Sequence, residues 1–159
     1  MFYSIRFDKV IDGVPHPRNT WGDWHLIPSS RPDVNLPSMR TNYVDIPGRN
    51  GQLDLSDYLT GGPTYEDRTG SWEFIVVSEY EGKIIDSRPW IERKNEIVDF
   101  LNGSEIFVNL EDIDHYHYRG RVFVDSGGWK TGQSFSTITL SYKLRPFKYD
   151  NDTGEEAGL

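Results

Sequence analysis

The chain has 159 residues, a formal net charge of −8 at pH 7 and no cysteine. Disulfides, thiolate chemistry and Cys-built zinc sites are therefore excluded, and the acidic balance argues against a protein that grips nucleic-acid phosphates. Four of the acidic residues, Asp150, Asp152, Glu155 and Glu156, follow residue 149 with no Lys or Arg among them, so half of the excess lies in the last stretch.

The length suits one domain with a sizeable core. An aromatic share of 14%, punctuated by 15 Gly and 9 Pro, points to β-structure, because flat and branched side chains pack well on a pleated surface. Residues 2–7 alternate, with Tyr3, Ile5 and Phe7 on one face, and predict a half-buried strand. Ile11-Asp12-Gly13 predicts a turn, and Pro15 and Pro17 are expected to break any pattern after it. Residues 20–28 predict a second strand with Trp21, Asp23, His25 and Ile27 on one face. Residues 28–39, rich in Pro and Ser, predict an extended arm, because Pro cannot donate to a central ladder.

Residues 40–46 predict a strand and 47–51 a turn; 52–59 are ambiguous, and Gly61-Gly62-Pro63 ends them. Residues 71–77 are apolar on both faces, as in a strand covered on both sides. Residues 89–102 predict the one helix, with Pro89 in its first turn, Trp90, Ile97, Val98 and Leu101 on one stripe, and a stop at Asn102-Gly103. Residues 105–110 and 116–124 predict strands joined by the acidic turn 111–114. Gly127-Gly128 marks a turn, and the alternation of Ile138, Leu140, Tyr142 and Leu144 predicts a strand wet on one face. The total is about seven or eight strands and one helix. The fold class expected is mainly β, a β-sandwich with one flanking α-helix and extended hairpins or loops. The domain is expected to span 1–148, and 149–159 to be an acidic, disordered tail. No signal-peptide run or membrane-length segment is present, so synthesis and folding in a cytoplasm, without membrane insertion, are expected.

Motifs for chemistry are sparse. Gly127 to Ser134 approaches a phosphate-binding loop, but Gln133 stands where lysine is needed and a strand follows instead of a helix; a hairpin turn is the expected reading. His115 and His117, with Asp112 and Asp114 upstream, offer metal-ligand types but lack a third ligand nearby. Neither a Gly-x-Ser-x-Gly elbow nor a His-Glu-x-x-His motif occurs, and Glu66, Glu73 and Asp125 are carboxylates without an established pairing. Asp150 to Glu155 has the Gly of a calcium loop one place early. No enzyme activity, metal or cofactor is expected. Trp72 and Trp90 are expected in the core, whereas Trp21, Trp24 and Trp129 lie near turns, where large aromatics anchor interfaces or stack on sugars.

Several segments in order resemble one family: Phe2 to Phe7, Asn19 to Pro32, Thr41 to Leu55, Leu59-Thr60-Gly61 with Tyr65, and Glu66 to Phe74. Then come the helix end Phe100-Leu101-Asn102-Gly103, Tyr116 to Arg121, and Ser136 to Tyr142. Together, over roughly residues 2–147, the chain is similar to the Dit-like distal tail proteins of long, flexible-tailed bacteriophages. Departures are the longer connection Ile11 to Arg18, the addition Ile84 to Arg88, and His115 and His117 in a stretch where tyrosines are expected.

The resemblance implies a structural protein of the virion tail or baseplate. It implies a homohexameric ring that joins the tail tube protein to the tail-tip hub or receptor-binding protein. DNA would pass through such a ring without stable binding. Ring closure is expected to use pairing between edge strands, with the Pro-rich arm reaching a neighbour. The interface residues expected are Trp21, Trp24, Arg40, Tyr43, Asp45 and Trp129. The alternatives are a carbohydrate-binding module, or another tail component such as a tube subunit.

Overall fold

The computed structural model describes residues 3–111, 115–131 and 135–159; for 126–129 and 131 the backbone alone is described. Phe2, Asp112 to Asp114, and the Gln133 and Ser134 of the phosphate-loop resemblance lie outside the described residues.

The chain opens with a hairpin, β1 (Ile5–Ile11) and β2 (Val14–Asn19), turned through Asp12 and Gly13 at positive φ. This is the geometry a two-residue turn needs to match strand twist. The short β3 (Leu26–Pro28) follows. An excursion then carries β4 (Tyr43–Asp45) and β5 (Gln52–Asp54). The chain returns as β6 (Arg68–Val76), makes a small hairpin of β7 (Glu79–Tyr80) and β8 (Lys83–Ile84), and enters helix α1 (Trp90–Leu101). The strands β9 (Glu105–Leu110), β10 (Tyr116–Thr131), β11 (Ser136–Leu144), β12 (Lys148–Asp150) and β13 (Glu156–Gly158) complete it.

The fold is mainly β with one helix. One antiparallel sheet runs β2-β1-β9-β10-β11-β6-β3, with β12 and β13 added beside β10. It curls into two facing layers. Strands four places apart in a flat sheet stand roughly 19 Å apart, yet the rings of Phe7 on β1 and Trp72 on β6 approach to 6.2 Å. Thr20 fastens the curl: its N–H donates to Ile5 O at 3.0 Å, its hydroxyl accepts from Ile5 N, and its carbonyl accepts from Leu26 N at 2.8 Å. The core inside the curl contains Ile5, Phe7, Leu26, Trp72, Phe74, Ile106, Val108, Val122, Ile138 and Leu140.

Several expectations are corrected. Residues 14–19 form β2 despite two prolines, because this is an edge strand and the missing donors face outward. Residues 20–25 are turns, and only 26–28 pair as a strand. On β6 the outer residues Ser71 and Glu73 are exposed, so the strand is covered on one side only. On α1 the buried residues are Arg93, Ile97 and Leu101, whereas Val98 is exposed. Arg93 is tolerated inside because both its terminal nitrogens are hydrogen-bonded and a carboxylate lies beside it. Its Nη1 donates to Val77 O (2.8 Å) and Trp24 O (3.3 Å), and its Nη2 to Ser78 Oγ (2.7 Å). Its Nε lies 3.6 Å from Asp86. Strand β10 continues through Gly127 and Gly128, where a turn is expected, with a register shift between Val124 and Trp129. Residues 148–158 form a hairpin where a disordered tail is expected: Tyr149 is buried, and β12 pairs with both β10 and β13.

Candidate assembly interface

Residues 36–66 leave the sheet as an arm with a fixed root. Three side chains of β6 and β11 grip the backbone of the root. Trp72 Nε1 donates to Asp33 O (2.8 Å), Arg68 Nη1 donates to Asn35 O (3.0 Å), and the Tyr142 hydroxyl accepts from Asn35 N (2.9 Å). Asn35 Nδ2 in turn donates to Thr69 O at 2.9 Å. The root passes so close to β6 that only glycine fits at position 70, where a Cβ would lie 2.4 Å from the Tyr142 hydroxyl and 2.7 Å from Asn35 Nδ2. Burial lowers the pKa of Arg68 and raises those of Tyr118 and Tyr142 around this grip.

Beyond the root, Arg40 N donates to Thr64 O and Glu66 N to Ser38 O, both at 2.8 Å, forming a stem with the Met39–Tyr65 bridge. Tyr65 rests edge-on against Phe147 of the body at 6.0 Å. The tip is the hairpin β4–β5, which pairs only with itself, with Gln52 Nε2 donating to Asp45 Oδ1 at 3.0 Å.

A two-stranded hairpin alone is marginal in water. This one also leaves both faces uncovered: Tyr43 and Val44, consecutive and so on opposite faces, are 53% and 40% exposed. Leu36, Tyr58 and Leu59 are 77%, 80% and 92% exposed, and Met39 and Ile46 are exposed too. A concentration of bare apolar side chains on one projection marks a surface built to meet another protein.

Strand addition is closed off at the two end strands of the main sheet, β2 and β3. Asn19 N donates to Asp23 Oδ2 at 2.7 Å instead of to β1, so positions 15, 17 and 19 of β2 face outward. Two of them are prolines without a donor, and the third donor is spent. On β3 the same parity holds Leu26, whose N–H is taken by Thr20 O, and Pro28. Neither β2 nor β3 keeps a free outward N–H to recruit a strand, a known protection of edge strands. The edge pairing expected from sequence thus has no free donor at β2 or β3, and the arm is a further candidate contact. Among the described residues, an unpaired side remains along residues 68–72 of β6 and 122–131 of β10, in the two small hairpins and at β13.

Of the residues singled out from sequence, Arg40, Tyr43 and Asp45 come together on the arm and are exposed. Trp24 does not belong with them: it is fully buried, 6.0 Å from the Phe7 ring and 5.7 Å from that of Phe100. Its neighbour Trp21 is half-buried and edge-on to His25 at 5.6 Å. The Trp129 side chain lies outside the described residues. Leu36, Met39, Ile46, Tyr58 and Leu59 were missed; their signal was apolar residues without a period inside a Pro- and Gly-rich stretch.

His115 is exposed, and His117 is buried with both ring nitrogens engaged, Nδ1 with Asn151 Oδ1 (2.7 Å) and Nε2 with Arg119 Nε (3.1 Å). Glu66 sits on the arm stem, Glu73 accepts from Ser29 Oγ at 3.1 Å, and Asp125 accepts from the Ser141 hydroxyl. Among the described residues no group of three His, Asp or Glu side chains is placed to hold a metal ion, and no helix is long and apolar enough to cross a membrane.

No protein-family model and no curated protein matches the chain. Its structure is similar to that of the Dit protein (gp 19.1) of SPP1, described as a paradigm of the hub adsorption apparatus in phages that infect Gram-positive bacteria, with a TM-score of 0.59 and 17% sequence identity. The likeness covers 94% of this chain and 52% of the Dit chain, so this chain spans about half the length of that protein. What the two share at this identity is the fold.

Proposed function

We propose that the chain is a structural, non-enzymatic protein of a phage tail. Its copies close into a homohexameric ring that joins the tail tube to the tail-tip or receptor-binding apparatus. The observation that carries the proposal is the fold shared with SPP1 Dit along almost the whole chain. The arm supplies the means. Its root is held rigidly, its stem is short, and its tip offers apolar side chains on two faces that the subunit itself leaves bare. A head-to-tail contact of this kind, arm of one copy on body of the next, generates a ring when the rotation closes. Such a ring needs no strand added at β2 or β3, which agrees with the spent outward donors of those two end strands.

Mass in solution and negative-stain images of the purified protein test the proposal. Closed rings that are lost when residues 42–55 are replaced by a Gly/Ser linker are the expected result. Open tubes would assign the chain to the tail tube, and a monomer at high concentration that joins no tail particle would overturn the assembly role.

A further inference from the structure

The C-terminal hairpin pairs with the start of β10, and a buried histidine lies at the centre of the contact. Tyr149 of β12 lies opposite His117 of β10, and the imidazole is held between the rings of Phe107 (4.9 Å) and Tyr149 (5.7 Å). The guanidinium of Arg119 covers the same two aromatics, at 4.7 Å from Phe107 and 4.0 Å from Tyr149, and its Nη2 donates to Gly154 O at 3.1 Å.

The hydrogen bonds fix the tautomer. Arg119 Nε can only donate, so His117 Nε2 accepts with its lone pair, and the ring proton sits on Nδ1, which donates to Asn151 Oδ1. The site thus accommodates neutral imidazole alone. A second proton has one place to go, Nε2. There it would displace the Arg119 bond and set an imidazolium 3.1 Å from a guanidinium, with little water to screen them.

We propose that residues 148–158 are a proton-released strap: protonation of His117 at Nε2 detaches the β12–β13 hairpin from the sheet. The groups facing His117 are Arg119 on its own strand, Tyr149 on β12, Asn151 in the turn, and Arg6 and Asp8 on β1. Burial, first, and Arg119 hold the imidazole pKa below its ordinary value, against the Asn151 bond. The sign follows. The detached state takes up the proton more readily than the docked one, so docking is complete above about pH 6.5 and weakens as the pH falls below it. Release would bare Phe107, the Arg119 guanidinium, and the backbone of Tyr116 and His117 that β12 now pairs.

NMR on the whole chain tests this. The imidazole nitrogens of His117 should show a bare Nε2 and a protonated Nδ1 at neutral pH. The protection factor of the Asn151 amide, which bonds across to His115 O, should fall as the pH is lowered from about 7.5 to about 5, by up to about tenfold per pH unit, while that of Ile97 in the helix holds. His117→Phe, which cannot titrate, should remove the pH dependence, and His115→Gln should keep it. A bare Nδ1, strap protection that does not move with pH, or a dependence that survives His117→Phe would overturn the proposal. Should Phe fail to hold the hairpin at any pH, the wild-type titration decides: the His117 ring and the Asn151 amide must share one midpoint, and two separate midpoints would refute the coupling.

Discussion

The curled sheet and the arm carry similar apolar side chains in opposite surroundings. Phe7, Trp24, Phe74 and Ile138 are fully buried in the body, whereas Leu36, Tyr58 and Leu59 stand in solvent on the arm. The body is held by burial, closed at β2 and β3 by spent donors, and pinned at the helix by ions. Asp86 Oδ2 meets His25 Nδ1 at 2.8 Å and Arg88 Nη2 at 2.7 Å, and Arg88 also pairs with Glu96. The arm is held at its root and stem and left bare beyond. On the proposed function, stability and assembly fall to different residues, and substitutions should separate them.

The largest effect belongs to the body. Trp24→Ala empties a closed site between Phe7 and Phe100 and should cost about 3–5 kcal/mol in urea unfolding. A loss under about 1 kcal/mol would contradict the core placement of this residue.

Asp86→Asn comes next, at about 3 kcal/mol, because it leaves Arg93 buried beside a neutral group. The hydrogen bond from Arg88, then those from His25, hold the Asp86 carboxyl well below the usual carboxylate range, against burial. Its contribution is therefore present above about pH 4 and lost as the pH falls further. The wild type should lose stability along that acid limb more steeply than the Asn variant, and parallel curves would remove Asp86 from the account.

Gly70→Ala acts at the junction of body and arm. The added methyl must push the Tyr142 ring or Asn35, both fixed by the root. A cost of about 1–3 kcal/mol is expected, with the amide shifts concentrated at residues 33–35. Unchanged root amides would show that the grip is looser than its hydrogen bonds imply.

The smallest effect on stability belongs to the arm. Tyr58→Ser with Leu59→Ser should leave unfolding within about 0.5 kcal/mol of the parent while weakening self-association in sedimentation. A clear loss of stability in the isolated subunit would show that these side chains pack within one chain, and would blur the contrast between body and arm.

Much of the body was legible in the sequence, because alternation and helical spacing report directly which face a core covers. Ile138, Leu140, Tyr142 and Leu144 were read correctly from period alone, as were the helix limits at Pro89 and Asn102. The arm was legible only as an interruption: Pro and Gly mark where a ladder stops, not what the loosened segment does. Arg40, Tyr43 and Asp45 lie exposed on that stretch, whereas Trp24 is buried, because proximity to a turn says nothing about which way a side chain points.

Local physics acts between neighbours in the chain, so the sequence by itself determined the strands with a clear alternation, the one helix, the exclusion of thiol chemistry and the acid-rich C-terminal end. Contacts between distant residues decided the rest. The curl that brings Phe7 to Trp72, the carbonyl of Trp24 that helps to bury Arg93, and the docking of the C-terminal hairpin under His117 and Arg119 each depend on partners tens of residues away. No window of the sequence contains both halves of any of these pairs.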